Sequence, residues 1–220
     1  MIALKDENEF RRILHGLADD VIDAHVHYKL YKDLYKAHDE FPLVMQQSNS
    51  FWQTTLKAHL NTSIYALTKV YDQHAGALHL YSFLQTVKAN FSLFTEEKFR
   101  KRKKDNPFVD DLAQENRVPN LASLDADISA CSDKDFLVKL LLKHRGNSLA
   151  HRNAKNTASG KLLGDTYPLT FEDFEILLNR SIDILNRYSQ FFEASSYSTH
   201  QIGADDFRFI FECVTAKVEQ

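Results

Sequence analysis

Apolar residues along this chain recur every three to four positions, the period of an amphipathic helix, rather than every second one. The first such stripe holds Phe10, Ile13, Leu14, Leu17, Val21, Ile22, Tyr28, Tyr31, Leu34 and Tyr35. It predicts a helix from about Asp6 to His38, bending near Gly16 or Asp19-Asp20. Pro42 punctuates it. Trp52, Leu56, Leu60, Ile64, Leu67 and Tyr71 then predict a second long helix over about Gln46 to Gln73. Two helices of that length joined by a short turn pack as an antiparallel hairpin. After Gly76, Leu80, Phe83, Leu84, Val87 and Phe91 mark a third helix, and Thr95 is placed to cap a short basic one through Lys98 to Lys104. Residues 105–120 read as less regular. Ser132-Asp133-Lys134-Asp135 is a helix-start signal with Ser132 as the cap. The helix it opens, from Phe136 through Leu142, is apolar nearly all round, which predicts a central position. Thr170 caps a helix through about Phe192, with Phe174, Leu177, Leu178, Ile182, Leu185 and Tyr188 inward. A last helix near Asp205–Val218 presents Phe207, Phe211 and Val214.

Composition sharpens this picture. Six glycines and four prolines in 220 residues are under half the usual combined share of about 12%. Few breakers mean long elements, and no alternating stretch suggests a sheet. The expected fold is all-α: a helical bundle built on the long antiparallel hairpin, one domain over 1–220 with 193–220 as a C-terminal helical extension. The start of the chain, Met1 to Glu7, has no apolar core of a signal peptide, and no apolar run approaches the roughly 18 residues of a membrane span. Cys131 and Cys213 are too few for a disulfide framework. The expectation is a reduced, cytoplasmic protein with both thiols in the core.

The charge pattern is what points to chemistry. The chain carries a net charge of −3, yet from Phe136 to Gly164 there is no Asp or Glu, where a share of 30 in 220 would place about four. The same window holds Lys139, Lys143, His144, Arg145, His151, Arg152, Lys155 and Lys161. At its centre, Arg145-Gly146-Asn147-Ser148-Leu149-Ala150-His151 pairs a permanent planar cation suited to phosphate with the one side chain that titrates near neutrality. On an ideal helix residues six apart are rotated by about 120° and displaced by about 9 Å, so the arginine must reach round. Asn147 and His151, four apart, share a face. Gly146 costs about 1 kcal/mol within a helix relative to alanine, which suggests an irregularity or a close approach by backbone or phosphate. The pair suits metal-independent RNA cleavage, with the histidine moving protons and the guanidinium neutralising charge at phosphorus. The plainer reading is that His151 ends a helix near its C-terminal dipole and Arg145 is solvated.

Arg145-x5-His151, after an apolar helix and before a polar loop, resembles the Arg-x4–6-His motif of the HEPN superfamily (higher eukaryotes and prokaryotes nucleotide-binding domains). Tyr28-Lys29-Leu30-Tyr31, Phe51-Trp52, Ala66-Leu67-Thr68-Lys69-Val70-Tyr71-Asp72, Leu149-Ala150-His151-Arg152, Leu163-Gly164-Asp165, Thr170-Phe171-Glu172-Asp173 and Ile184-Leu185-Asn186-Arg187-Tyr188 resemble its AbiU-type abortive-infection branch, over about residues 10–192. The resemblance implies an α-helical bundle, commonly a homodimer whose two motifs face each other across a cleft. Many members are metal-independent endoribonucleases of phage defence and toxin–antitoxin systems, and others are inactive binding modules. It implies Arg145 as phosphate binder and His151 as general acid/base, with no cofactor and no metal. Asn147 stands in for the polar residue that commonly follows the arginine, a place taken here by Gly146. Lys143, His144, Arg152 and Lys155 would contact RNA. A cognate antitoxin or other defence-system protein is an implied partner, and a membrane is not. Asn153 occupies the place of a tyrosine that another branch uses for regulation.

Other signals carry less. His25-Val26-His27 places its imidazoles about 200° apart on a helix, no Glu-x-x-His pair occurs, and a bound metal is not expected. Lys98–Lys104 reads as a solvated helix with Phe99 inward, or as a nonspecific grip on phosphates. Tyr28, Tyr31 and Tyr35 read as core or dimer packing, or as base-stacking rings. Asp72 reads as a C-terminal turn residue, or as one that orients the motif.

Overall fold

The computed structural model describes residues 1–115, 117–144, 158–160 and 169–218. Among them no β-strand occurs, and the fold is the all-α one the periodicity predicts. Helix α1 runs Glu7–Glu40. Asp6 caps it by accepting the Glu9 amide at 2.8 Å, and Glu7 and Glu9 in its first turn complement the dipole. It stops at Phe41, which precedes Pro42 and so avoids the helical region (φ −128°, ψ 58°).

The second long helix is in fact two. Pro42 opens a short α2, Pro42–Gln47. Ser48, at φ −138° and ψ 44°, breaks the chain before α3, Asn49–Val70. α1 and α3 lie against each other as the hairpin. Ser63 Oγ donates to Ala24 O at 2.6 Å across the contact, and Ala24, Ser63 and Ala66, all buried and small, let the two backbones approach.

Helix α4 is Leu80–Ala89, with a 3₁₀ turn at Phe91–Phe94. Next come α5, Glu96–Arg102, capped by Thr95 as expected, and α6, Val109–Gln114, inside the stretch read as irregular. α7, Leu121–Ala130, has Asn120 accepting the Ser123 amide at 3.1 Å. α8 is Phe136–His144. α9 is Phe171–Glu193, with a reciprocal capping box between Thr170 and Asp173. α10 is Phe207–Val218. Among the described residues no helix is long and apolar enough to cross a membrane.

The main core gathers α1, α3, α4, α7, α8 and α9. Its deepest contacts are aromatic: Phe10 on α1 lies 4.6 Å from Phe192 and 5.6 Å from both Phe83 and Phe94, centroid to centroid. A second cluster closes the far end of the hairpin, where α10 inserts Phe211 among Leu34, Ala37, Val44 and Met45. Phe211 meets Trp52 edge to face at 4.8 Å.

Several side chains depart from expectation. Tyr35 is 62% exposed and Phe136 74%, so neither belongs to the core: each lies on the outer side of a helix whose opposite face is buried. Cys131 is buried, but Cys213 is exposed on the outer face of α10. Ile182 is only partly buried, and Ile184 takes an inward place on α9 instead.

Candidate functional site

Helix α8 opens the basic segment and α9 follows it in sequence, and a polar knot fixes where α8 begins. Its cap is Asp135 rather than Ser132: the Asp135 carboxylate accepts the Val138 amide at 3.0 Å. Ser132 Oγ is spent one turn earlier, donating to Ser129 O at 2.8 Å and accepting the Lys134 amide. Arg180 on α9 bridges the break, with Nη1 3.1 Å from Asp135 Oδ1 and donating to Ala130 O at 2.8 Å. The end of α3 joins the same knot. Tyr71 donates its hydroxyl to Leu177 O at 2.9 Å, and Gln73 Nε2 donates to Tyr71 O and Cys131 O. Burial raises the Tyr71 hydroxyl well above its ordinary pKa and pushes the Cys131 thiol up to about 12. Neither group ionises near neutrality, so the knot is structural.

From this knot α8 buries Val138, Leu140 and Leu141 and ends on Lys143 and His144. Lys143 is exposed. His144 is half-buried, with Nδ1 shut from solvent and without a hydrogen-bond partner among the described residues. Burial lowers its pKa, so the neutral imidazole is favoured at pH 7. Arg145, Gly146, Asn147, His151, Arg152 and Lys155 lie outside the described residues, as do Asn153 and Leu163-Gly164-Asp165. Asp72 forms the turn after α3, its Oδ1 accepting the amides of Gln73 at 2.7 Å and His74 at 3.2 Å.

The basic run at α5 is partly engaged by the fold, and Lys101 and Lys104 are exposed. Phe99 is fully buried as expected. Arg102 is not solvated: Nε donates to Phe192 O at 3.0 Å, Nη1 donates to Leu93 O at 2.8 Å, and Cζ sits 4.2 Å from the Phe192 ring centre. Arg100 pairs with Glu96 and Asp110, and Lys98 lies 3.5 Å from Glu7. Lys98, Arg100 and Arg102 are thus held by carboxylates or carbonyls, which leaves the stretch less charge to offer RNA.

The histidines of α1 separate as their helical angle demands. His25 Nε2 donates to Leu178 O at 2.9 Å, and burial lowers its pKa. His27 turns to α3 and shares a hydrogen with His59, Nδ1 to Nδ1 at 2.8 Å. Sequence spacing could not reveal that pair, because it depends on the register of α1 against α3. Among the described residues no three His, Cys, Asp or Glu side chains gather in metal-ligating geometry.

A sequence profile described as AbiU2, of the HEPN class, matches residues 7–209. That span takes in the hairpin, the knot and the basic segment, and the chain belongs to this family. No curated protein and no solved structure matches it.

Proposed function

We propose, for this member of the AbiU2 family of HEPN domains, a metal-independent endoribonuclease that acts in the cytoplasm as a toxin or antiphage effector. The observation that carries the reading is the Arg145–His151 pair inside an acid-free basic segment of a HEPN chain. The ribose 2′-hydroxyl attacks the adjacent phosphorus and the bond to the 5′-oxygen of the next nucleotide breaks. This leaves a 2′,3′-cyclic phosphate and a 5′-hydroxyl. His151 takes or delivers the proton, and the Arg145 guanidinium neutralises charge on the five-coordinate phosphorus. Asn147 orients the reacting groups, and Lys143, His144, Arg152 and Lys155 line the RNA path. His144, favoured neutral, would serve there as a hydrogen-bonding ring rather than a cation.

One histidine cannot easily act on both sides of one phosphorus, so the reading includes a homodimer that supplies a second His151 across a shared cleft. The anchoring of α8 by Asp135 and Arg180 supports this reading, because a site is only as well positioned as the element that delivers it. A cognate antitoxin or other defence-system protein is the partner expected to restrain it.

Gly146 favours a second reading, a non-catalytic HEPN module that binds nucleic acid, a nucleotide or a partner protein. RNA incubated with the protein in EDTA separates the two. Fragments ending in 2′,3′-cyclic phosphate support the nuclease, and intact RNA in a stable complex supports the binding module.

A further inference from the structure

Away from the Arg–His motif, α1 and the start of α9 build an open stack of aromatic rings. Tyr28, Tyr31 and Tyr35 follow one another at helical spacing, with centroids 6.3 and 6.2 Å apart and planes inclined by 29° and 38°. Phe171, the first residue of α9, lies over Tyr31 at 5.9 Å and 22°. The inner end is fixed. Tyr28 is buried and donates its hydroxyl to Glu175 Oε1 at 2.9 Å, and it packs on Phe174 at 5.1 Å. The outer end is open, with Tyr35 62% and Phe171 54% exposed.

Beside the rings runs a cleft of about 400 Å³ lined by Lys29, Lys32 and Lys36, with Asn179 and Thr199 at its wall. Its two carboxylates are already engaged, Asp33 by Lys29 and Glu175 by Lys32. Lys32 also hangs over the Tyr28 ring at 5.5 Å. The lining therefore presents one more ammonium group than carboxylate, and it meets the ring ladder at Tyr28, the buried end.

We propose that this ladder is a stacking platform for single-stranded RNA, with bases on the exposed rings of Tyr35 and Phe171 and phosphates along the lysines of α1. The proposal deepens the RNA-directed reading above and rests on it. Rings beside ammonium groups suit the π-faces and phosphates of a single strand. A second copy of this chain that covered both the rings and the adjoining cleft would instead have to bury three lysines. Phe171 also opens α9 just beyond the sequence segment that carries Arg145 and His151, so one chain connection serves both features.

The test uses full-length His151→Ala protein and a 5′-fluorescein-labelled 12-nucleotide single-stranded RNA, read by fluorescence anisotropy at two salt concentrations. Adding Tyr35→Ala or Phe171→Ala should each weaken binding about fivefold or more, since loss of one base stack is worth roughly 1–3 kcal/mol. The salt slope should stay unchanged. Tyr35→Trp should bind at least as well, and Lys36→Ala should flatten the salt slope. Affinity unchanged in the Tyr35→Ala/Phe171→Ala double variant overturns the platform. So does loss of a dimer in light scattering with RNA affinity kept, which would mark a protein interface. The two readings fail separately. RNA bound through the platform by a wild type that cuts nothing sinks the nuclease and supports the platform. Cleavage with an unchanged KM in the double variant sinks the platform and keeps the nuclease.

Discussion

Arg180 on α9 reaches the carboxylate that starts α8: its Nη1 lies 3.1 Å from Asp135 Oδ1 while donating to Ala130 O at 2.8 Å. One guanidinium thus ties the end of α7 and the beginning of α8 to the longest helix of the C-terminal half. Arg145 follows the other end of α8 in sequence.

Removing the cap should therefore cost stability directly. Asp135→Ala is expected to lose about 1 kcal/mol for the cap alone, and more because Arg180 is left without its charge partner. Asp135→Ser should keep most of the capping contribution and lose only the ion pair. Urea denaturation of the three proteins checks the order wild type, Ser, Ala.

The Phe10 cluster sets the main core. Phe10 is fully buried among Phe83, Phe94 and Phe192. Phe10→Ala should cost about 3–5 kcal/mol, because the cavity lies between helices that cannot collapse onto it. A calorimetric scan that leaves the melting temperature unmoved would contradict this packing.

The hairpin tip should respond independently. Trp52, the single tryptophan, meets Phe211 edge to face at 4.8 Å. Phe211→Ala should shift Trp52 emission to the red while the far-ultraviolet helical signal is nearly kept, since the tip cluster is separate from the main core.

Acid should destabilise the fold through its buried and half-buried histidines. Burial lowers the pKa of His25, His59, His79 and His144 below the ordinary 6.5. For such groups the unfolded chain binds more protons than the folded one between the two pKa values. Their contribution is fully present above about pH 6.5 and is lost as pH falls through 6.5 toward the folded values. His79 is the clearest case, because its Nδ1 accepts the Ser82 amide at 3.2 Å and caps α4, and a protonated ring cannot accept. His79→Asn keeps a capping oxygen without a titrating group. It should flatten the fall in unfolding free energy between pH 7 and pH 5, measured by urea titration at each pH.

Much of this architecture was legible in the residues themselves. Asp6, Thr95 and Thr170 announce their helices by side chains that reach their own backbone, which is local chemistry. Cap choice at α8 was not legible, because Ser132 and Asp135 are both competent and the decision falls to Arg180, 45 positions beyond Asp135 in the chain. The break at Ser48 follows from Pro42 opening a separate turn, which periodicity alone passes over. α7 escaped notice because Leu121, Leu124 and Ile128 form only a thin stripe beside Asp125 and Asp127. Cys213 looks apolar in sequence, yet the outer face of α10 carries it together with Phe209 and Ile210, both exposed. The Arg145–His151 pair stands out in the sequence by charge and spacing. Its geometry lies outside the described residues, and the partners of Arg102 and His27 appear only once helices pack.

The proposed role of His151 is to move protons for RNA cleavage. Its most direct measurement compares wild type and His151→Ala on RNA in EDTA, with circular dichroism to establish that both are folded. Cleavage by wild type and none by His151→Ala are expected, with equal helical signal in both. Equal inertness of the two folded proteins toward RNA, or equal cleavage by both, would contradict it.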